Sequence, residues 1–288
     1  MDNKQTIQWF PGHMAKTKRK IKEILPLIDA VAEVVDARIP VSSRNPDLAE
    51  IIENKPHMIL LNKCDMADIR ITREWIEYYK KNGITAIAID CKSGRGINQF
   101  KDTVKTALSY KLEAYAQKGM VGKPLRVMVV GIPNVGKSSF INKIAGKNRA
   151  KAENRPGVTR GNQWFTIEKQ LELLDTPGVL WPKFEDQTVG EHLAFTGAVK
   201  DNIIDTELLA VRLLEIMGKN YPDLLTNRYG ELDFSLDAYE LLCQIGKKRG
   251  MVIRGGETDT ERAANMLLEE YRNQKIGNIS LERVEDYA

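Results

Sequence analysis

The chain has 288 residues, 43 of them Lys or Arg and 39 Asp or Glu, for a formal net charge of +4. That length suits one large domain plus a small one, and the mild charge balance excludes a histone-like tail. No apolar run of about 18 residues occurs, which excludes a helical membrane span; Met1-Asp2-Asn3-Lys4 leads into no apolar signal segment, so export is not expected. Cys64, Cys91 and Cys243 are odd in number and lack metal-ligand spacing, which points to free thiols in a reducing cytosol and hence to a cytoplasmic protein.

Taken in chain order, Trp9-Phe10-Pro11-Gly12-His13-Met14 precedes a basic helix over residues 16–25, and the apolar run 30–35 reads as a strand ending in Asp36-Ala37-Arg38. A strand over 58–61 runs into Asn62-Lys63-Cys64-Asp65, followed by a helix over 72–82. A strand over 84–89 then leads to Asp90-Cys91-Lys92-Ser93-Gly94 and a helix over 97–117. Gly119 to Pro124 has the composition of a connector. The strand 125–130 enters Gly131-Ile132-Pro133-Asn134-Val135-Gly136-Lys137-Ser138, and a helix over 138–144 leaves it. Arg155-Pro156-Gly157-Val158-Thr159-Arg160-Gly161 is too rich in Gly and Pro for a helix, and the apolar run 171–174 delivers Asp175-Thr176-Pro177-Gly178. After Trp181-Pro182 the strand pattern stops, and 189–199, 206–217, 221–227, 237–248 and 261–273 read as helices. The expected architecture is α/β, a mostly parallel sheet with helices on both faces over residues 1–185, with a small all-α domain over 186–288.

Five of these loops have a common chemistry. In the G-x-x-x-x-G-K-[ST] spacing the glycines let the backbone curl, so that N–H groups from Asn134, Val135 and Gly136 through Ser139 point at phosphate oxygens at a helix N-terminus. Lys137 reaches the β- and γ-phosphates and the Ser138 hydroxyl ligates Mg²⁺. Asp175, at a strand's C-terminal end, holds Mg²⁺ through water, while the Gly178 N–H faces the γ-phosphate. Thr159 is the switch threonine that touches Mg²⁺ and the γ-phosphate. Asp65, with Asn62 and Lys63 beside it, accepts two hydrogen bonds from guanine N1–H and N2–H₂, an edge that adenine lacks. Cys91 and Ser93 lie in the segment expected to close over the base edge. The set specifies GTP, but its order is base, phosphate, switches, whereas most GTPases present the phosphate loop first.

On these residues, together with Trp9 to Met14, Val35-Asp36-Ala37-Arg38-Ile39-Pro40 and Leu174 to Pro182, the chain resembles the circularly permuted GTPases that assist ribosome assembly, over nearly its whole length. The resemblance implies a cytoplasmic GTPase that binds the maturing large ribosomal subunit in its GTP state and leaves after hydrolysis, with GTP, GDP and rRNA as partners and no membrane; a monomer is expected. Asn134 is similar to the asparagine of potassium-activated GTPases, which implies K⁺ beside the phosphates; its plain alternative is a loop-stabilising asparagine.

Hydrolysis departs from the commonest pattern, because Val179, Leu180 and Trp181 stand where many GTPases carry a water-orienting glutamine. His13 is the candidate group to polarise water, beside Lys137, Thr159 and Gly178. His57 and His192 read as structural. Lys16, Lys18, Arg19 and Lys20, and in the helical domain Lys247, Lys248 and Arg249, are the candidate rRNA contacts; solvated helix faces are the alternative reading. Trp9 and Phe10 offer base stacking. Two other classes stand beside the assembly factor. One is a GTP-dependent binding module whose turnover is incidental. The other is a P-loop phosphotransferase, disfavoured because no acceptor-site motif appears.

Overall fold

The computed structural model describes residues 19–52, 55–146, 152–153, 163–176, 186–199 and 205–287. Its strands are β1 (Ala30–Asp36), β2 (His57–Asn62), β3 (Thr85–Ala88), β4 (Leu125–Val130), β5 (Ala152–Glu153), β6 (Gln163–Glu168) and β7 (Leu171–Asp175), joined in one sheet of order β3-β2-β1-β4-β7-β6-β5. The first five in that order run parallel, and β6 and β5 complete the edge antiparallel. All seven residues of β1 are buried, which requires cover on both faces and explains why its sequence, apart from Glu33 and Asp36, is apolar without alternation. Chain order reverses where β1 lies beside β4, so a crevice opens at the strand C-termini there, the usual ligand position of such sheets.

The helices of this sheet unit follow from capping and apolar spacing. α1 (residues 19–24) gives way to a 3-10 turn over Leu25–Leu27, where Pro26 cannot donate to a continuing helix. α2 (Pro46–Ile52) was not expected from the apolar pattern, although Asn45-Pro46-Asp47 carries its signal: Pro46 opens the helix and Asn45 accepts the Asp47 N–H at 3.0 Å. α3 (Ile69–Lys81) starts at Asp68, whose carboxylate accepts the Arg70 N–H at 2.8 Å. The single helix expected over 97–117 is two, α4 (Ile97–Ala107) and α5 (Ser109–Gln117), broken at Leu108, which leaves helical geometry while fully buried. α6 (Lys137–Ala145) follows β4, and its Phe140 meets Phe100 of α4 edge to face at 5.0 Å. On one layer Ile21, Ile24 and Ile28 pack with Val31, Leu48 and Met128.

The helical unit comprises α7 (Gln187–Phe195), α8 (Thr206–Asn220), α9 (Pro222–Tyr229), α10 (Ala238–Lys248) and α11 (Thr260–Arg272). Asp186, Asp205, Asp237 and Asp259 cap α7, α8, α10 and α11 through their side chains. Leu213 and Met217 of α8, Leu242 and Ile245 of α10, and Leu267 and Leu268 of α11 form its core. Among the described residues no helix is long and apolar enough to cross a membrane.

The division of the chain differs from a simple cut at 185/186. The helical unit ends at Leu281, and residues 282–287 belong to the sheet unit. Within that unit, Trp75 Nε1 donates to the Glu282 carbonyl at 3.1 Å and the Tyr287 ring lies 5.7 Å from Trp75.

Candidate nucleotide-binding site

The loop between β4 and α6 is built from backbone conformations that few residues accept. Asn134 has φ +63° and Gly136 φ +96°, and asparagine is among the residues that enter the left-handed region at least cost. The loop bounds a concavity of about 470 Å³ lined by Ile132, Pro133, Asn134, Gly136, Lys137, Ser138 and Ser139. Because α6 begins at Lys137, the N–H groups of its first turn have no acceptor within the helix, and these residues line the same space, an anion site by construction. Lys137 is buried, and its Nζ lies 2.6 Å from Oδ1 of Asp175 at the end of β7. Val129 of β4 pairs in register with Asp175, and the Thr176 hydroxyl donates to the Val129 carbonyl at 2.7 Å, which fixes the carboxylate beside the loop. Ser138 is exposed in the first turn of α6. A hydroxyl and one carboxylate are hard oxygen donors that suit Mg²⁺, which takes few protein ligands and completes its shell with phosphate and water.

The second loop is fastened to the first. Asn62 is buried at the end of β2, and its Nδ2 donates to the Val135 carbonyl at 2.7 Å. Its Oδ1 is buried and, among the described residues, has no hydrogen-bond partner. A Cβ on Gly136 would fall 2.2 Å from Asn62 Nδ2, so only glycine permits this approach. Lys63 has φ +60°, and its Nζ lies 2.9 Å from Oδ2 of Asp36. Arg38 holds the same carboxylate with Nε at 2.9 Å and Nη2 at 2.8 Å. Burial alone would raise the Asp36 pKa, but Arg38 and Lys63 prevail and hold it well below the usual carboxylate range. Asp65 is half-buried in the same loop.

The third loop closes the set. The Cys64 N–H donates to the Ile89 carbonyl at 3.2 Å, and Asp90 accepts the N–H groups of Lys92 at 2.7 Å and Ser93 at 3.1 Å. Lys143 of α6 donates to the Lys92 carbonyl at 2.9 Å. Cys91 is half-buried; burial, with Asp90 adding to it, pushes its thiol up to about 12, so it is no nucleophile at neutral pH. Asn62, Lys63, Asp65, Cys91 and Ser93 thus share one end of the sheet with Asn134 to Ser139 and Asp175.

His13, Thr159, Gly178, Lys16 and Lys18 lie outside the described residues, as do Trp9, Phe10 and Val179. Arg19 is exposed, 3.7 Å from Glu23, and Lys20 is half-buried. In the helical unit Lys247 is exposed, Lys248 donates to the Glu231 carbonyl, and the Arg249 guanidinium sits 5.2 Å from the Tyr229 ring centre and donates to the Arg228 carbonyl at 3.3 Å. The last two cations therefore already serve the fold. His57 lies 3.2 Å from buried Glu33, and His192 is buried in α7. Sequence reasoning passed over Asp36 and Arg38 as site residues. Their signal was an acid and a base two apart at the C-terminal end of a buried strand.

Residues 126–225 match a family model described as 50S ribosome-binding GTPase. Across 98% of this chain and 95% of the relative, the sequence is 48% identical to a ribosome biogenesis GTPase A of Bacillus cereus. A ribosome biogenesis GTPase A of Thermotoga maritima is 34% identical over 97% of this chain and 95% of its own length. A solved GDP-bound YlqF structure is similar at a TM-score of 0.68 with 31% identity, covering 93% of this chain and 100% of that one. The GNP-bound YlqF from T. maritima matches at 0.63 with 30% identity over 94% and 99%. With its phosphate loop and base-side loop joined at one end of the sheet, the chain belongs to the ribosome biogenesis GTPase A family.

Proposed function

We propose that this GTPase of ribosome assembly binds the maturing large ribosomal subunit in its GTP state and leaves after hydrolysis, as a cytoplasmic monomer. The observation that carries the nucleotide half of this reading is the 2.7 Å hydrogen bond from Asn62 Nδ2 to the Val135 carbonyl. It makes the phosphate loop and the Asn62–Asp65 loop one rigid receptor, although their order in the chain is that of a circular permutation. Asp65 reads guanine N1–H and N2–H₂, Asn62 and Lys63 frame the base, and the loop of Cys91 and Ser93 covers its edge. N–H groups from Asn134 through Ser139 hold the phosphates. Lys137 exchanges its ion pair with Asp175 for the β- and γ-phosphates, which frees Asp175 to support Mg²⁺ with Ser138 and Thr159. Mg²⁺ supplies charge neutralisation on the phosphate oxygens.

For hydrolysis, His13 positions the attacking water in place of the missing glutamine, and Thr159 and Gly178 sense the γ-phosphate. Asn134 helps seat K⁺, whose charge substitutes for part of an arginine finger. Lys16, Lys18, Arg19, Lys20 and Lys247 contact rRNA phosphates, with Lys248 and Arg249 contributing from the same helix end. The test measures GTP turnover with and without large subunits, in K⁺ and in Na⁺, for the wild type and His13→Ala. Stimulation by subunits that His13→Ala loses by about 10²–10⁴-fold, with GTP-dependent binding retained, supports the reading. Subunit binding that follows GTP without any stimulated turnover makes the chain a nucleotide-gated binding module instead.

A further inference from the structure

The tail that returns to the sheet unit does more there than fill space. Glu282 is 1% exposed, and its carboxylate accepts the N–H of Val41 at 2.6 Å, the N–H of Ser42 at 2.9 Å and the Ser42 hydroxyl. A carboxylate so deeply buried is tolerated because these donors replace its water. The donors belong to the loop that leaves β1, and that loop is tied at its other end to the Asn62–Asp65 segment. Ser43 Oγ accepts the Asp36 N–H at 3.0 Å and donates to the Ile39 carbonyl at 2.6 Å. The Ala37 N–H donates to the Asn62 carbonyl at 2.8 Å, and Asp36 holds Lys63 at 2.9 Å. Tyr79 supports the middle of the loop by donating to the Pro40 carbonyl at 3.2 Å. Glu282 is thus connected to the Asn62–Asp65 loop by consecutive hydrogen bonds through the segment 36–43.

Given that Asn62-Lys63-Cys64-Asp65 reads the base, as proposed above, we infer that Glu282 is a positioning residue for guanine recognition, clamping from the far C-terminus the loop that holds Lys63 and thereby Asp65 in register. Lys63 sits at φ +60°, a conformation a non-glycine residue keeps only when its surroundings impose it. With Gln at 282 one of the two acceptor oxygens becomes an NH₂ donor and the charge is lost, so the Val41 N–H or the Ser42 donors lose their acceptor, the turn at 41–43 rearranges, and Asp36 no longer presents a fixed counter-ion to Lys63. The effect is greatest at the base, whose loop the segment 36–43 holds directly, whereas the loop of Lys137 and Ser138 is built on β4 and α6 and is joined to it through Asn62.

The test compares dissociation constants for GDP and for inosine diphosphate, which lacks the N2 amino group, using full-length wild type, Glu282→Gln and Asp65→Asn, with the thermal midpoint of each. The wild type prefers GDP, and Asp65→Asn brings the two affinities together. Glu282→Gln weakens GDP by about tenfold and reduces the GDP-to-inosine preference severalfold at temperatures where it is fully folded. A merely structural role lowers the midpoint and leaves that preference intact, which overturns the positioning role while Asp65→Asn still upholds base reading. An Asp65→Asn protein with the wild-type preference overturns both. If Glu282→Gln does not fold, Ser42→Ala, which removes only the hydroxyl donor to the carboxylate, is read in its place. It should lower the preference by about threefold, and an unchanged preference overturns the proposal.

Discussion

A buried carboxylate among cations occurs in each unit of the chain, Asp36 in one and Glu270 in the other, and the two do different work. Asp36 of the sheet unit is held by Arg38 and Lys63, and Lys63 belongs to the loop at the nucleotide end of the sheet. Glu270 of the helical unit accepts from Arg228 at 2.8 and 2.5 Å and from the Tyr229 hydroxyl at 2.9 Å, with Arg249 at 4.0 Å. All of those partners belong to its own unit. The hydrogen bonds from Arg228 hold the Glu270 pKa below its ordinary value, and burial opposes them. Chemically the clusters are alike. Their difference teaches that a buried ion pair acquires a functional role from where its partners sit, and not from its strength.

The largest effect is expected at Asp36. Asp36→Asn leaves Arg38 and Lys63 facing a neutral amide at a cost of about 3–5 kcal/mol in urea unfolding, and it should weaken GDP binding as well. Its pH dependence has a definite sign. The folded pKa lies below the unfolded one, so the stabilisation is complete above about pH 4 and is lost as pH falls below that. The acid limb of stability against pH should therefore be flatter in Asp36→Asn; an unchanged limb would show that Asp36 is not the group that titrates.

A pair of glycines sharpens the contrast at the next level. Gly136→Ala places a Cβ 2.2 Å from Asn62 Nδ2, and Gly246→Ala places one 2.4 Å from Thr258 Cγ2 inside the helical unit. Each should destabilise by about 1–3 kcal/mol, but only Gly136→Ala should reduce GDP affinity, as titration calorimetry on both would show. Glu270→Gln comes next. Arg228 and Arg249 are each about a third exposed, so solvent screening limits the loss to about 1–2 kcal/mol, with GDP affinity unchanged. Weakened GDP binding in Glu270→Gln would break the distinction between the clusters. Smallest is Lys247→Ala, which should leave both stability and GDP affinity as they are and reduce the salt slope of association with large subunits by about 1.

Much of the nucleotide end was legible because its residues are dictated locally. A left-handed turn needs Gly136, a strand end delivers Asp175, and the spacing from Gly131 to Lys137 is set by the curl of one backbone. Legibility failed where the cause is distant in sequence. Nothing near Asp36 announces that Lys63 is its partner, and nothing near Glu282 announces Val41 and Ser42, 241 and 240 residues away. The antiparallel strand β6 was passed over as well. Its alternation is short, and the apolar run of its partner β7 reads as a strand without naming what pairs with it. The break at Leu108 went unseen because helical periodicity continues across it, while tertiary burial of that one side chain decides the geometry.

The return of residues 282–287 to the sheet unit changes what the helical unit is: not a terminal appendage but an insertion, entered and left through the same partner. A polypeptide cut at the entry junction, for instance at a protease site placed between Lys183 and Phe184, would not free the helical fragment. That fragment would still carry Glu282 and Tyr287, lodged against Trp75, and the two pieces would behave as complementing halves of one protein. Ending the chain at Leu281, by contrast, removes none of the helices α7 to α11, yet strips Trp75 Nε1 of its acceptor and turns a doubly tethered unit into a pendant one. The conformational entropy that loop closure had suppressed would then return to the helical unit.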